Sequence, residues 1–390
     1  MPRALVTGNQ AAGAMLAAAG EANRVARGCC SGVYPITPQT EIMESLTAYP
    51  FTKGAVVPVE SEHSAMGVCI GASIAGARAF TASASNGLLY MTENVFAAGY
   101  YRLPIVLVAA NRTIGPPWNI WVDQGDSLAL RDAAMLQFYC ESHQDLVDTI
   151  LVAFRVAEDP RVLLPALVAQ DGFVLSHALM DVDLPEQGQV DAFLPPLELP
   201  HRLRRDHPRI YGGLTWPRDT QRQREDIEHA MQAVPQVMHE ANDEFETVFG
   251  RRPAGAFPAA CTDDAELVLV ACNTMARTAL HVVEARRARG ERVGLVRARL
   301  FRPFLREELT RAIGSARRVA VLDRNHSPGS GGIFWSEVVA SLAGRSDVLV
   351  QDYIVGLGGT DVPHAVIDAI VDDLAARECA AAPVFFHEVT

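Results

Sequence analysis

The feature that most constrains the fold of this chain is the form of its apolar runs. Short stretches at 30–34, 55–59, 79–83, 105–110 and 166–170 are almost continuously apolar or small, with no period-two alternation. Strands buried on both faces have this look, because helices cover a parallel sheet above and below. Helix-length segments such as 64–76 and 87–99 lie between them, small-residue rich and suited to close packing. Such βα alternation predicts an open α/β sheet. A second series of runs follows at 267–271, 293–297, 319–322 and 348–354, with a helical segment at 277–289 stopped by Gly290.

The expected fold class is therefore α/β, with two open parallel-sheet domains. Pro185, Pro195, Pro196 and Pro200 mark a change of character between them, since proline removes a donor and fixes φ. The boundaries read as a first α/β unit over 1–180, a linker and long helix over 181–258, and a second α/β unit over 259–390. Asp181-Val182-Asp183 opens the linker as extended chain. A charged helix over 219–249 then carries Ile227, Met231, Val234, Val237 and Met238 near helical spacing. The alanine-rich run after Gly8-Asn9-Gln10 predicts a packed helix behind a polar cap, not a signal peptide.

Composition excludes several kinds of function. Lys plus Arg number 34 against 46 Asp plus Glu, a net charge of −12, which argues against nucleic acid as a partner. No run approaches the ~18 apolar residues a membrane span needs, so no membrane partner and a cytoplasmic location are expected. Cys29, Cys30, Cys69, Cys140, Cys261, Cys272 and Cys379 contain no Cys-x-x-Cys pair. That spacing suits neither a zinc ribbon, nor an iron–sulfur cluster, nor a disulfide framework, and no metal ligands are assigned within this chain.

Open α/β sheets bind ligands beyond the carboxyl ends of their strands, so the residues after each strand are the candidates. Tyr34-Pro35-Ile36-Thr37-Pro38-Gln39 follows the first: two prolines stiffen the loop and Thr37 offers a hydroxyl, although a rigid helix-capping turn would use the same residues. Glu60 and Glu62 follow the second, where a carboxylate is also an ordinary capping feature. Ser85-Asn86-Gly87 follows the third, small and polar enough to let a ligand approach the backbone. Asn111-Arg112 follows the fourth, with Gly115-Pro116-Pro117-Trp118 and Asp126-Ser127 beyond. An arginine there either clamps a carboxylate in a bidentate fork or pairs at the surface. One such loop is a weak signal, but four on one sheet edge make a site.

The strings 34–39 (YPITPQ), 60–66 (ESEHSAM), Asn111-Arg112, and Asp126-Ser127 with Arg131-Asp132 resemble the α subunit of the 2-oxoacid:ferredoxin oxidoreductases. Pyruvate:ferredoxin oxidoreductase is the best-known member. The strings at 301–304 (FRPF), 322–325 (LDRN), 330–332 (SGG) and 354–359 (IVGLGG) fit the same family, so the resemblance runs from about 8 to 361. It implies a thiamine diphosphate enzyme whose cofactor lies at a subunit interface. The first unit would be the pyrimidine-binding module and the second a transketolase C-terminal-like module. Glu62 would hydrogen-bond the aminopyrimidine and favour the imino tautomer, which takes the proton from the thiazolium carbon. Thr37 and Arg112 would lie near the substrate, with Arg112 suited to its carboxylate. Ser85, Asn86 and Gly87 would border the cofactor, and Trp118 and Asp126 would belong to a substrate loop.

The chain lacks a Gly-Asp-Gly followed some ~30 residues later by Asn, the pattern by which thiamine enzymes hold Mg²⁺ and diphosphate. The resemblance therefore assigns these to a β subunit and the iron–sulfur clusters to γ and δ subunits of a hetero-oligomer. Ferredoxin or an NAD-reducing flavin subunit would take the electrons. The implied reaction is CoA-acylating oxidative decarboxylation: 2-oxo acid plus CoA gives acyl-CoA, CO₂ and two electrons. Asp123-Gln124-Gly125 stands where the pyruvate enzymes of the family tend to have a His-Gln pair. Pyruvate and an aryl 2-oxo acid such as phenylglyoxylate are both left open, and Thr37 argues against oxalate. Two other readings share the layout: the β subunit of a lipoate-dependent 2-oxo acid dehydrogenase, and a non-catalytic scaffold subunit.

Overall fold

The structure, a computed structural model, describes residues 3–386. Strand β1 (Arg3–Thr7) leads directly into helix α1 (Gly8–Ala22). A capping box starts that helix: Thr7 Oγ1 accepts from the Gln10 N–H, and Gln10 Oε1 accepts from the Thr7 N–H. The expected packed helix is thus present, buried along nearly its whole length. There follow β2 (Cys29–Val33), α2 (Thr40–Ala48), β3 (Gly54–Pro58), α3 (Glu62–Ile74), β4 (Arg78–Ser83), α4 (Ser85–Tyr90) and α5 (Thr92–Tyr100). The first unit continues with β5 (Val106–Asn111), α6 (Gly125–Leu128), β6 (Leu136–Tyr139), α7 (His143–Ala157), β7 (Ala166–Asp171) and β8 (Leu179–Asp183). Helices α8 (Gln187–Phe193) and α9 (Pro217–Phe249) connect to the second unit.

That unit consists of β9 (Ala259–Ala260), β10 (Leu267–Ala271), α10 (Asn273–Ala288), β11 (Val293–Arg297), β12 (Leu300–Arg302) and α11 (Arg306–Ile313). It ends with β13 (Arg318–Asp323), α12 (Ile333–Ser341), β14 (Leu349–Ile354), α13 (His364–Ala376) and β15 (Val384–Phe385). Its sheet has the order β15-β14-β13-β10-β11-β9, parallel except for β9. The larger sheet has the order β12-β6-β7-β5-β4-β2-β3, parallel except at the β12 edge. From β2 the chain steps outward to β3 and then back past β2 to β4. A crevice therefore opens beyond the carboxyl ends of β2 and β4. Among the described residues no helix is long and apolar enough to cross a membrane.

Several expectations change. The chain at 181–183 is sheet rather than linker, because β8 pairs antiparallel with β1 from Arg3↔Asp183 to Thr7↔Leu179 and its backbone groups find partners there. The single helix expected at 87–99 is two, meeting at Met91, and it starts at Ser85. Strand β6 is hidden in the sequence because Gln137 interrupts its apolar run; its Nε2 donates to the Ser127 carbonyl at 3.0 Å. The FRPF string crosses between units. Its β12 residues extend the first sheet, Leu300 lies opposite Phe138, and Leu300 and Phe301 are completely buried. Burial of two such side chains is worth about 1.5–3 kcal/mol each. Arg299, also fully buried, adds hydrogen bonds to Asp145 at 3.1 Å and Thr149 at 2.7 Å. The two units share one hydrophobic core through these contacts.

Candidate functional site

The loops after β2, β3, β4 and β5 converge at the crevice. Ser61 caps α3 by accepting from the Ser64 N–H, which puts Glu62 in the first helical turn, nearly buried. Glu60 points outward and is hydrogen-bonded by the Ser64 hydroxyl, so of the two carboxylates only Glu62 faces the cluster. Gly87 lies against it. A Cβ at position 87 would fall 2.5 Å from both Glu62 Oε1 and Ser83 Oγ. The absence of a side chain at 87 is what lets the Glu62 carboxyl sit this close to the first turn of α4. Burial pushes the Glu62 carboxyl above its ordinary range, while its own backbone N–H and the Arg112 charge act the other way.

Arg112 is nearly buried, and its Nη1 donates to the Thr37 carbonyl at 2.7 Å. Its Nε is buried without a partner. Burial lowers its pKa, and Asp126 and Glu62 raise it. Thr37 is exposed, on a loop that Gln39 ties back by donating to the Tyr34 carbonyl at 2.8 Å. Thr37, Glu62, Gly87 and Arg112 are therefore brought together at one end of the sheet.

The other predicted residues are placed differently. Ser85 Oγ donates to the Thr113 carbonyl. Asn86 brackets Gly115, donating to its carbonyl at 2.8 Å and accepting from its N–H at 3.0 Å. These two side chains hold the 113–115 turn. Trp118 lies on that loop, 69% exposed, with its ring over Gly115. Asp126, expected on a substrate loop, is completely buried beneath the site. Its Oδ2 accepts from the backbone N–H groups of Ser85 (2.8 Å) and Arg112 (3.0 Å). Its Oδ1 accepts from Asn111 Nδ2 and the Ser127 N–H, both at 2.7 Å. One carboxylate thus stitches three loops together. Burial pushes it up to about 7, against the pull of these donors.

Sequence reasoning passed over Asp171 at the end of β7, which is also fully buried. It accepts from Asn273 Nδ2 at 2.8 Å, from the Thr274 backbone N–H at 3.1 Å and hydroxyl, and from Arg324 at 3.4 Å. The first unit's site edge is thereby fastened to the start of α10 and the end of β13. The only sequence signal for this was an acidic residue closing an apolar strand. Among the described residues no three His, Cys, Asp or Glu side chains are grouped to hold a metal ion. Two clefts of about 570 and 640 Å³ open elsewhere, one beside α9 and Arg302, the other beside Arg27 and Arg202. The cluster of Glu62, Gly87 and Arg112 lies in neither.

The doubly wound sheet carries a nearly buried carboxyl, a close-packed glycine and an arginine at its switch point, and the family model it matches is that of a thiamine diphosphate-binding domain. The chain matches the family model "Pyruvate flavodoxin/ferredoxin oxidoreductase, thiamine diP-bdg" over residues 25–243 and "Pyruvate:ferredoxin oxidoreductase core domain II" over 265–367. It belongs to the 2-oxoacid:ferredoxin oxidoreductase family, as an α-subunit chain. It is 42% identical to pyruvate synthase subunit PorA of Methanothermobacter thermautotrophicus, over 91% of this chain and 92% of that protein. It is 41% identical to ketoisovalerate oxidoreductase subunit VorA of Pyrococcus abyssi, over 87% of each. The solved 2-oxoglutarate:ferredoxin oxidoreductase of Magnetococcus marinus shares the fold, with a TM-score of 0.72 at 15% identity, covering 95% of this chain and 65% of that one. The family assignment sets aside the lipoate-dependent reading.

Proposed function

We propose that this chain supplies the pyrimidine-side half of a thiamine diphosphate site in a CoA-acylating 2-oxo acid oxidoreductase. The observation that carries the proposal is the Glu62 carboxyl, nearly buried in contact with Gly87 and facing the charge of Arg112. A carboxyl in that setting suits an aromatic ring nitrogen that shares a proton with it, and a Cβ at Gly87 would push the carboxyl from its place. The unpartnered Nε of Arg112 suits an anionic substrate group. When bound, the cofactor supplies a nucleophilic carbon and an electron sink for loss of CO₂.

The chain's own residues then have defined tasks. Glu62 holds a proton at the ring nitrogen. Arg112 orients the 2-oxo acid carboxylate, with Thr37 fixing its guanidinium through the backbone carbonyl. That grip helps only if it is no tighter in the bound substrate than in the transition state. Ile114, Trp118, Ile120 and Trp121 are all exposed on the loop beyond Arg112, so the substrate is a 2-oxo acid with one carboxylate and an apolar tail. PorA and VorA relatives are about equally similar, which fits that class: pyruvate, a branched-chain acid, or an aryl acid such as phenylglyoxylate. Diphosphate and Mg²⁺ fall to a β subunit, the clusters to γ and δ subunits, and the electrons to ferredoxin or a flavin subunit that reduces NAD.

Glu62→Gln in the assembled enzyme tests this reading. Assembly should survive and 2-oxo acid decarboxylation should be lost. Near-normal turnover would overturn the role, and would favour a scaffold subunit.

A further inference from the structure

The strings LDRN and IVGLGG have no part in the chemistry above, yet they meet the loop that borders it. After β14 the chain turns through Gly356, Gly358 and Gly359, all at positive φ (73°, 61° and 80°). The Gly358 carbonyl accepts from Asn119 Nδ2 at 3.0 Å, and the Gly359 N–H donates to the Val122 carbonyl at 2.9 Å. Beside them the Arg324 carbonyl accepts from the Gln124 N–H at 3.0 Å. A Cβ at Gly359 would collide with Trp121 Cβ, and one at Gly358 would lie 2.9 Å from Asn119 Nδ2. The loop is held here with no room to spare.

The contacts continue toward the site. The Trp121 carbonyl accepts from the Thr113 N–H at 3.0 Å and its hydroxyl at 2.8 Å, closing the loop at its base. The Trp121 ring packs on Phe173, centroids 4.8 Å apart. Thr113 and Gly115 are in turn held by Ser85 and Asn86, next to Gly87 and Glu62. An unbroken path of packed and hydrogen-bonded groups thus runs from the second unit's glycine turn to the position of Trp118.

We infer that the 357–359 turn of the second unit is a specificity-determining element: it sets how far the 113–124 loop stands from the 2-oxo acid tail, and so which tail is accepted. Asn119, Gly358 and Gly359 are positioning residues, acting through Trp118 and Trp121 without touching substrate. This rests on the reading that the loop faces the substrate, and the experiment separates the two.

The assembled enzyme is assayed with pyruvate and with a branched 2-oxo acid, the readout being the ratio of the two kcat/KM values, with kcat and KM resolved. Gly359→Ala forces the loop off its seat, and Asn119→Ala releases the 119–358 hydrogen bond without added bulk. Each should move the ratio, Gly359→Ala by about tenfold, the lower end of what one methylene is worth in an apolar pocket. Gly290→Ala serves as the control, because Gly290 has φ +87° but open space around it, so it carries the backbone strain alone. An unmoved ratio in both loop variants, with a shift in Trp118→Ala, would overturn the inference and leave the site reading intact. No shift even in Trp118→Ala would overturn the reading that this loop faces substrate. An equal shift in Gly290→Ala would overturn the inference, by tracing the effect to strain. Should Gly359→Ala fail to assemble, Asn119→Ala decides the matter.

Discussion

Asp126→Asn keeps the size and shape of the side chain that joins the site's loops and changes only what its two ends can accept. The carboxylate takes four N–H donors, two on each oxygen. An amide can offer an oxygen to one pair only, and its NH₂ faces the other pair donor to donor. If the NH₂ points toward Ser85 and Arg112, two buried backbone N–H groups are left unpaired. If it points the other way, the Ser127 N–H is lost, and Asn111 can accept only by turning its NH₂ away from Ser127 Oγ and toward the Asn273 NH₂ that its oxygen now faces. Each orphaned buried donor costs about 1–3 kcal/mol, so the substitution should cost about 2–6 kcal/mol in either orientation.

That cost falls on the turns at Ser85 and Arg112. Ser85 sits at φ 51°, a conformation that a non-glycine residue holds only under support, and its N–H is one of the four donors. Hydrogen exchange in peptides covering 80–90 and 108–116 should accelerate by roughly tenfold or more for each 1.4 kcal/mol lost, while the core of α7 stays protected. KM for the 2-oxo acid should rise more than kcat falls, because Arg112 is displaced rather than removed. A pH profile sharpens the test. With burial holding the carboxyl at about 7, a proton replaces one acceptor below that pH, so KM of the unaltered enzyme should climb as pH falls through 7. The variant should lack that limb. Unchanged exchange at both turns, together with an unchanged KM profile, would refute the account of Asp126 as the tie between these loops.

Two further outcomes are expected. Arg112→Ala should lower kcat/KM for 2-oxo acids by the roughly 2–5 kcal/mol typical of removing one partner of a buried charged pair, and an unchanged substrate profile would make the arginine structural. Burial and the facing carboxylate of Asp352 hold Asp323 up at about 7. The folded chain therefore keeps a proton that the unfolded chain releases above about pH 4. Stability contributed by this group is full below that pH and falls by up to about 1.4 kcal/mol per pH unit until pH 7. Asp323→Asn should flatten thermal midpoints across that window relative to the unaltered chain; parallel curves would show that the carboxyl does not titrate there.

What could be read from sequence and what could not divide along the range of the interaction. A strand buried on both faces is recorded in its own residues, so β4, β5, β7 and β10 are visible as almost continuous runs of apolar or small residues. Arg112 is visible for a related reason, since it directly follows such a run, and Glu62 comes four positions after the edge strand β3; the topology sends the ends of parallel strands to one edge. Strand β8 looks like linker because its partner β1 lies some 180 positions earlier, and no local pattern reports a pairing at that distance. The same holds for β12, the short strand Leu300-Phe301-Arg302, whose sheet belongs to the other unit. Asp126 is the sharpest case. Its partners at Ser85 and Arg112 are backbone N–H groups 41 and 14 positions away, and a backbone N–H has no residue identity by which the sequence could mark it. A carboxylate beside a conspicuous tryptophan loop is therefore easily taken for a ligand contact. It lies buried because four donors at fixed positions, three backbone N–H groups and the Asn111 amide, give an acceptor-only side chain more than water would after the loops close over it.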